Sequence, residues 1–271
     1  AKLNLTKQQA TDSDALVKNV SRRVAAARDP LFAGAQAEAQ KAQVEVLSAH
    51  AQSAAQTSRA VLATYVPDQP AFELDPALLS DLSLPAIGDE GPDIALLDAE
   101  RLAAATRVSL ARAQAVPDPQ VQLGVRRFEA NSDYAVVAGV SMPIPIFDAN
   151  SGNIARAGEE RSAAEGDLAA ARLSYKRDAT RLSQKLGAYV AEVHRLETDI
   201  VPQTARALSL VKSGYARGGF TYRDVADAQR LHIEVQNQRI EALRNFHLQR
   251  AALRRLTGEH TTLVSTPEVS R

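Results

Sequence analysis

Leu168, Tyr175, Leu182, Tyr189 and Leu196 stand seven residues apart, with Ala179, Leu186, Val193 and Ile200 at the complementary positions. An apolar seam sustained over more than four heptads requires helices lying side by side as in a coiled coil. The pattern continues past Pro202 through Leu208 and Val211 to Gly214, so a single helix is expected over 149–214. Its 66 residues would run ~100 Å at 1.5 Å per residue.

Three other helical stretches accompany it. Val17, Val20, Val24, Ala27 and Leu31 alternate in steps of three and four. After the "ARDP" interruption the rhythm resumes at Val44, Leu47, Ala51, Ala54, Ser58, Val61 and Tyr65. Residues 66–93, rich in Pro, Asp and Gly, read as a linker. A helix over about 93–116 stops at "VPDP", and another over about 223–257 carries Leu231, Val235, Ala242, Phe246, Leu253 and Leu256 on one face. Placed in line, these last two would span ~90 Å, close to the long helix. The fold class expected is therefore mainly α, built on long antiparallel coiled-coil helices. A rod of this length suits a structure that bridges a gap. The low aromatic content, 4%, agrees with helices packed through small residues.

The chain also repeats itself. A shift of 191 residues superposes Val20 on Val211, Ala25 on Ala216, Ala35 on Ala226, Ala37 on Ala228, Val44 on Val235, Arg59 on Arg250, Ala60 on Ala251 and Leu62 on Leu253. The helix–turn–helix break falls at the same place in both copies. The first copy has no strand pair before it, so the sequence is expected to begin partway through its first repeat.

Between the copies lies a hairpin: "PQVQLGVRRF" (119–128), a five-residue turn, and "YAVVAGVSMPIPIF" (134–147). Tyr134, Val136, Ala138, Val140, Met142, Ile144 and Ile146 alternate with mostly small residues, and Val121, Leu123 and Val125 alternate with polar ones. A lipid-facing barrel strand with a wet lumen needs this pattern. A soluble hairpin resting one face on a helical core shows the same alternation. Two strands cannot close a barrel, so several copies or chains would have to contribute.

Basic and acidic residues balance at 32 each, so no global field selects nucleic acid or an anionic surface. With no cysteine there is no disulfide, thiolate metal site or thiol nucleophile. No apolar run reaches the ~20 residues of a membrane-spanning helix, and "AKLNLTKQQA" lacks the apolar core of a signal peptide. His50, His194, His232, His247 and His260 are scattered, with no pair at i, i+4, so no metal site is expected. Phosphate loops, nucleophile elbows and HExxH are absent, and "RGG" at 217–219 reads as a turn. Neither an enzyme nor a cofactor is expected.

The run "VPDPQVQLGVRRFE…VAGVSMPIPIFDANSGNIARA" resembles the strand-to-helix corner of TolC-like outer membrane efflux proteins. Within that family it most resembles the heavy-metal and cation efflux channels of the CzcC and CusC type. "YARGGFTYRDVADAQ" (215–229) resembles the family's periplasmic hairpin tip. The resemblance implies a homotrimer with a shared transmembrane β-barrel in the outer membrane of a Gram-negative bacterium and a helical tunnel in the periplasm. It also implies a periplasmic adaptor (membrane fusion protein) and an inner-membrane pump of RND type as partners. The division that follows is 1–66 first-repeat tunnel helices with a tip turn near 25–33, 67–92 equatorial linker, 93–116 upper tunnel helix and 117–148 transmembrane hairpin. Residues 149–257 then form the long helix, a tip turn at 215–222 and the returning helix, and 258–271 an equatorial tail. Pro143 and Pro145 would mark where the strand leaves its ladder.

Site residues follow from the same resemblance. Asp224 and Asp227, nine and twelve residues after Tyr215, would line a pore constriction; the plainer reading is helix-start carboxylates that compensate the dipole. Arg28, Asp29, Pro30, Tyr215, Gly218, Gly219 and Phe220 would form the tip that meets the adaptor. Val121, Leu123, Val125, Val136, Val140 and Ile144 would face lipid. Phe220, Phe32 and Ala33 stand where polar tip partners belong in the family, so the bridges that latch the family's tip are not expected to carry over. A periplasmic coiled-coil adaptor or scaffold without a pore is the competing function. The heptads fit it; the apolar-faced hairpin does not.

Overall fold

The computed structural model describes residues 1–65, 75, 77–88, 90–128, 133–142 and 149–259. The proline corner at Pro143 and Pro145, Ile144, much of the 66–93 linker and the tail from His260 onward lie outside them. The order of elements is α1 (Lys2–Ala25), α2 (Leu31–Ala63), the short α3 (Ala77–Ser80), α4 (Pro92–Ala113), β1 (Gln120–Phe128), β2 (Asp133–Ser141), α5 (Ser151–Arg195), α6 (Val201–Ala216) and α7 (Tyr222–Thr257). The chain forms two compact units: Ala1–Pro85 with Leu182–Ala252, and Ala86–Arg181 with Leu253–Arg271. No described helix is long and apolar enough to cross a membrane.

The heptad seam is a buried face. Leu168, Tyr175, Ala179, Leu182, Leu186, Val193 and Leu196 are all buried, and Tyr189 is half-buried. Ile200 is not, because the helix changes character beneath it. Residues Leu196–Ile200 form a π-turn, in which the Val201 N–H bonds to the Leu196 carbonyl five residues back. Pro202 has no N–H, and its ring would press on the carbonyl four residues earlier in an unbroken α-helix. The wider turn accommodates the ring and shifts Ile200 off the seam. The single helix expected over 149–214 is thus α5, a π-turn and α6.

In the first unit, α1 and α2 form an antiparallel hairpin tied by Lys41 Nζ to Asp14 at 2.7 Å. One apolar cluster gathers Val17 and Val20 of α1, Ala33 and Ala37 of α2, Tyr215 of α6, and Tyr222 and Val225 of α7. A second gathers Val193, Leu196, Val235, Ala242 and Leu243, with Leu82 packed against them. The Arg250 guanidinium, stacked on Phe246, donates to the Asp81 carboxylate at 2.7 Å and its carbonyl at 3.0 Å, holding the segment after α3 on α7. The apolar rhythm read along α2 is buried only at Val44; Leu47, Val61 and Tyr65 are exposed. By the register that pairs Asp14 with Lys41, α1 runs out before the last turns of α2. Leu31 and Leu231, also expected on packed faces, are exposed too.

In the second unit, Ile94 of α4 packs with Leu168 and Tyr175 of α5 and Leu256 of α7. The Tyr175 hydroxyl donates to the Gly88 carbonyl at 2.7 Å. Gly91 is needed here, since a Cβ would stand 2.3 Å from the Leu256 carbonyl. Val108 and Ala111 pack on Ala157. Asn150, at φ 58, turns the chain into α5 and donates from Nδ2 to the Ala111 carbonyl at 2.8 Å. The two strands pair antiparallel, with Val121 opposite Val140, Leu123 opposite Ala138 and Val125 opposite Val136.

Candidate functional site

The two helix reversals of the first unit share one backbone design. At the end of α1 the Arg28 N–H bonds to the Arg23 carbonyl and the Ala27 N–H to that of Val24, with Ala27 at φ 54. At the end of α6 the Gly219 N–H bonds to the Gly214 carbonyl and the Gly218 N–H to that of Tyr215, with Gly218 at φ 87. Both are Schellman closures, which satisfy the last carbonyls of a helix through one left-handed residue. The 191-residue shift carries Ala25 to Ala216, Ala27 to Gly218 and Leu31 to Tyr222, so helix ends, left-handed residues and helix starts all coincide. Pro30 and Thr221 take the equivalent position just before α2 and α7.

A latch joins the two turns. Arg23 Nε and Nη2 donate to the two carboxylate oxygens of Asp29 at 2.9 and 3.1 Å, and Arg23 Nη1 donates to the Tyr215 carbonyl at 2.6 Å. The Tyr215 hydroxyl donates to Asp29, and the Arg23 guanidinium lies 4.3 Å from the centre of the Tyr215 ring. Arg23 and Asp29 are only 12% and 8% exposed, so the pair is shielded from solvent. The guanidinium, with help from the tyrosine hydroxyl, holds the Asp29 carboxyl below the usual range, while burial pushes the Tyr215 phenol up. The tip is thus latched through other positions than Phe220, Phe32 and Ala33, where the family's bridges were not expected to carry over: the cation comes from Arg23, in the last turn of α1. Sequence reasoning missed Arg23, whose one signal is its place six residues before Asp29.

Around the latch, the Tyr222 hydroxyl donates to Gln40 Oε1 at 2.9 Å, tying α7 to α2. Phe220 folds over Gly214, where a Cβ would meet its ring at 2.2 Å. An open groove of about 790 Å³ runs beside the turns, lined by Arg28, Pro30, Phe32, Phe220, Arg223 and Arg230 among others.

Asp224 and Asp227 differ sharply in surroundings. Asp224 Oδ2 accepts from the Thr221 N–H at 2.8 Å and hydroxyl at 2.7 Å, and the Thr221 hydroxyl accepts from the Asp224 N–H at 3.3 Å. This is a capping box closing the start of α7, and those bonds hold the Asp224 carboxyl below its ordinary range. Asp227 is half-exposed between Arg230 at 3.2 Å and Arg223 at 3.8 Å. The stretches 22–29 and 217–230 hold six arginines against three aspartates, so the turns are basic.

Val121, Leu123, Val125, Val136 and Val140 project from one face of the hairpin, each 69–80% exposed. Among the described residues no three His, Asp or Glu side chains gather as a metal site.

Comparison with known proteins supplies relatives. The sequence model of the family described as "Outer membrane efflux protein" matches residues 87–259. The chain is 31% identical over 252 residues to the cobalt-zinc-cadmium resistance protein CzcC of Cupriavidus metallidurans, covering 88% of this chain and 59% of that one. It is 37% identical over 89 residues to the nickel and cobalt resistance protein CnrC of the same organism, covering 33% of this chain and 21% of that one. Solved structures of CusC and of the outer membrane protein VceC from Vibrio cholerae share the fold. Their TM-scores are 0.76 and 0.72 at 14% and 20% identity, over 95% of this chain and 64% and 65% of theirs. The chain spans less than two thirds of the length of CzcC, CusC and VceC.

Proposed function

The chain belongs to the outer membrane efflux protein family, and from that premise we propose that it is part of the exit duct of a tripartite efflux system. In this reading three copies share a β-barrel in the outer membrane of a Gram-negative bacterium, and the helices wall a periplasmic tunnel. Solute passes passively from an inner-membrane pump of RND type and its periplasmic adaptor. The relationship to CzcC favours divalent metal cations as cargo. No catalytic step is involved.

The observation that carries this reading is the hairpin. Its five valine and leucine side chains leave a continuous strand face in solvent, whereas the heptad seam of α5 is buried. Such a face is expected of a barrel strand in lipid. A pore-free coiled-coil scaffold has no use for it. The basic, latched turns supply the surface on which an adaptor would dock, through Arg28, Asp29, Pro30, Tyr215, Gly218, Gly219 and Phe220. Asp224 and Asp227, repeated in three copies, would line the narrowest opening, with Arg223 and Arg230 moderating their field.

The test is complementation. A strain lacking its own metal-efflux duct, given the full-length protein with its cognate pump and adaptor, should regain resistance to cobalt, zinc or cadmium. The protein should also purify in detergent as a trimer. Restored resistance from a protein that stays monomeric and detergent-independent would overturn the duct in favour of the scaffold.

A further inference from the structure

The groove beside the latched turns lies wholly within the first unit and has two unlike walls. One wall is the start of α7, where Arg223, Asp227 and Arg230 follow in steps of four and three and so share a face. The other is the start of α2, which brings Phe32, Gln36 and Gln40 in steps of four. The Tyr222–Gln40 bond ties one wall to the other, so the groove is preorganised. Aromatic rings stand in water here: Phe32 is 63% and Phe220 44% exposed.

The positive charge of the groove is not answered from within the chain. Four arginines line it against two aspartates. Arg23 and Asp29 cancel inside the latch. Arg223 and Arg230 share the single carboxylate of Asp227, with their own side chains 89% and 75% exposed. The Arg28 guanidinium has no partner among the described residues. The start of α2 adds the positive end of a helix, since it has no side-chain cap and no acidic residue in its first turn.

We propose that this groove is the docking site for an acid-bearing helix of a partner protein, whose carboxylates take Arg223, Arg230 and Arg28 while an apolar side chain covers Phe32. Arg223 and Arg230 stand seven residues apart, ~10 Å along α7. Two turns of a helix laid between α2 and α7 would therefore bring carboxylates to both. Exposed ion pairs contribute little to stability, so an incoming carboxylate displaces Asp227 from the arginines at small cost. Docking then leaves Asp227 bare at the opening it would line. Only the partner's identity rests on the duct reading, which makes it the periplasmic adaptor.

Binding of the cognate adaptor to the full-length protein in detergent tests this. Arg223→Glu with Arg230→Glu should weaken binding ~100-fold, about tenfold for each charge pair lost, and remove most of its salt dependence. Phe32→Ser should weaken binding and leave the salt dependence intact. Both variants should remain trimers on sizing, because the altered side chains are exposed. Adaptor mutants selected to restore metal resistance to the double reversal should exchange Asp or Glu for Lys or Arg. Binding that ignores the reversal, or suppressors that spare the adaptor's acidic residues, overturn the proposal. So does a reversal that dissociates the trimer, which would make the groove an interface between copies. If wild type and reversal restore resistance equally, the groove falls and the duct stands. If neither restores it, yet a helical peptide with glutamates seven apart binds the wild type and not the reversal, the duct falls and the groove stands.

Discussion

The Tyr215 hydroxyl donates to the Asp29 carboxylate, joining residues 186 positions apart and closing one helix turn onto the other. Arg23 completes the link from the end of α1. Tyr215→Phe keeps the ring beneath the guanidinium and removes one bond to a charged acceptor, an expected loss of about 2 kcal/mol. Arg23→Ala should cost more, because it strands a shielded carboxylate. Thermal melts of both variants check the order; equal or negligible losses would remove the latch from the account.

The same latch has a pH signature of its own. The folded-state pKa of Asp29 is depressed, so its contribution is present above about pH 4 and is lost as falling pH protonates the folded carboxylate. Loosening of the turns, followed by hydrogen exchange, should thus set in below about pH 4 and need Asp29. Asp29→Asn should remove this acid response.

Asp224 and Asp227 should separate on mutation. Thr221→Ala breaks the capping box at a cost of about 1 kcal/mol, and Asp224→Ala should likewise lower the melting temperature. Asp227→Ala, on an exposed helix face, should leave it nearly unchanged. If the two line a constriction, the double variant in planar bilayers should lose cation selectivity and multivalent-cation block. Selectivity and block that persist while stability falls would leave Asp224 as a helix cap alone.

Gly218 sits at φ 87 with open space around it, so its constraint is the backbone and not the neighbours. Gly218→Asn should be tolerated, whereas Gly218→Val should cost 1–2 kcal/mol or so by forcing a branched residue into the left-handed region. If this turn docks an adaptor, the bulky change should also abolish efflux while the trimer persists on sizing.

On the hairpin, Val140→Arg should hinder outer-membrane assembly, since a charge near the bilayer midplane costs ~2–4 kcal/mol. Ala135→Arg, on the opposite face, should be milder. Equal tolerance, scored by heat-modifiable migration of the assembled protein, would argue for a soluble hairpin.

What the sequence by itself determined were the features that repeat along the chain. The heptads that bury Leu186 and Val193 and the alternation that puts Val121 and Val140 on one face follow from fixed backbone periods, and the shift that carries Ala27 to Gly218 follows from the internal repeat of the sequence. Tertiary structure alone decided the rest. Arg23, Asp29 and Tyr215 meet because two helix ends converge, and no local period links them. The same holds for His232 against Thr204, and for Val61 and Tyr65, whose helical rhythm finds no facing helix among the described residues. Periodicity says which face of an element is apolar; which partner that face or a polar side chain meets depends on how the elements are brought together in space.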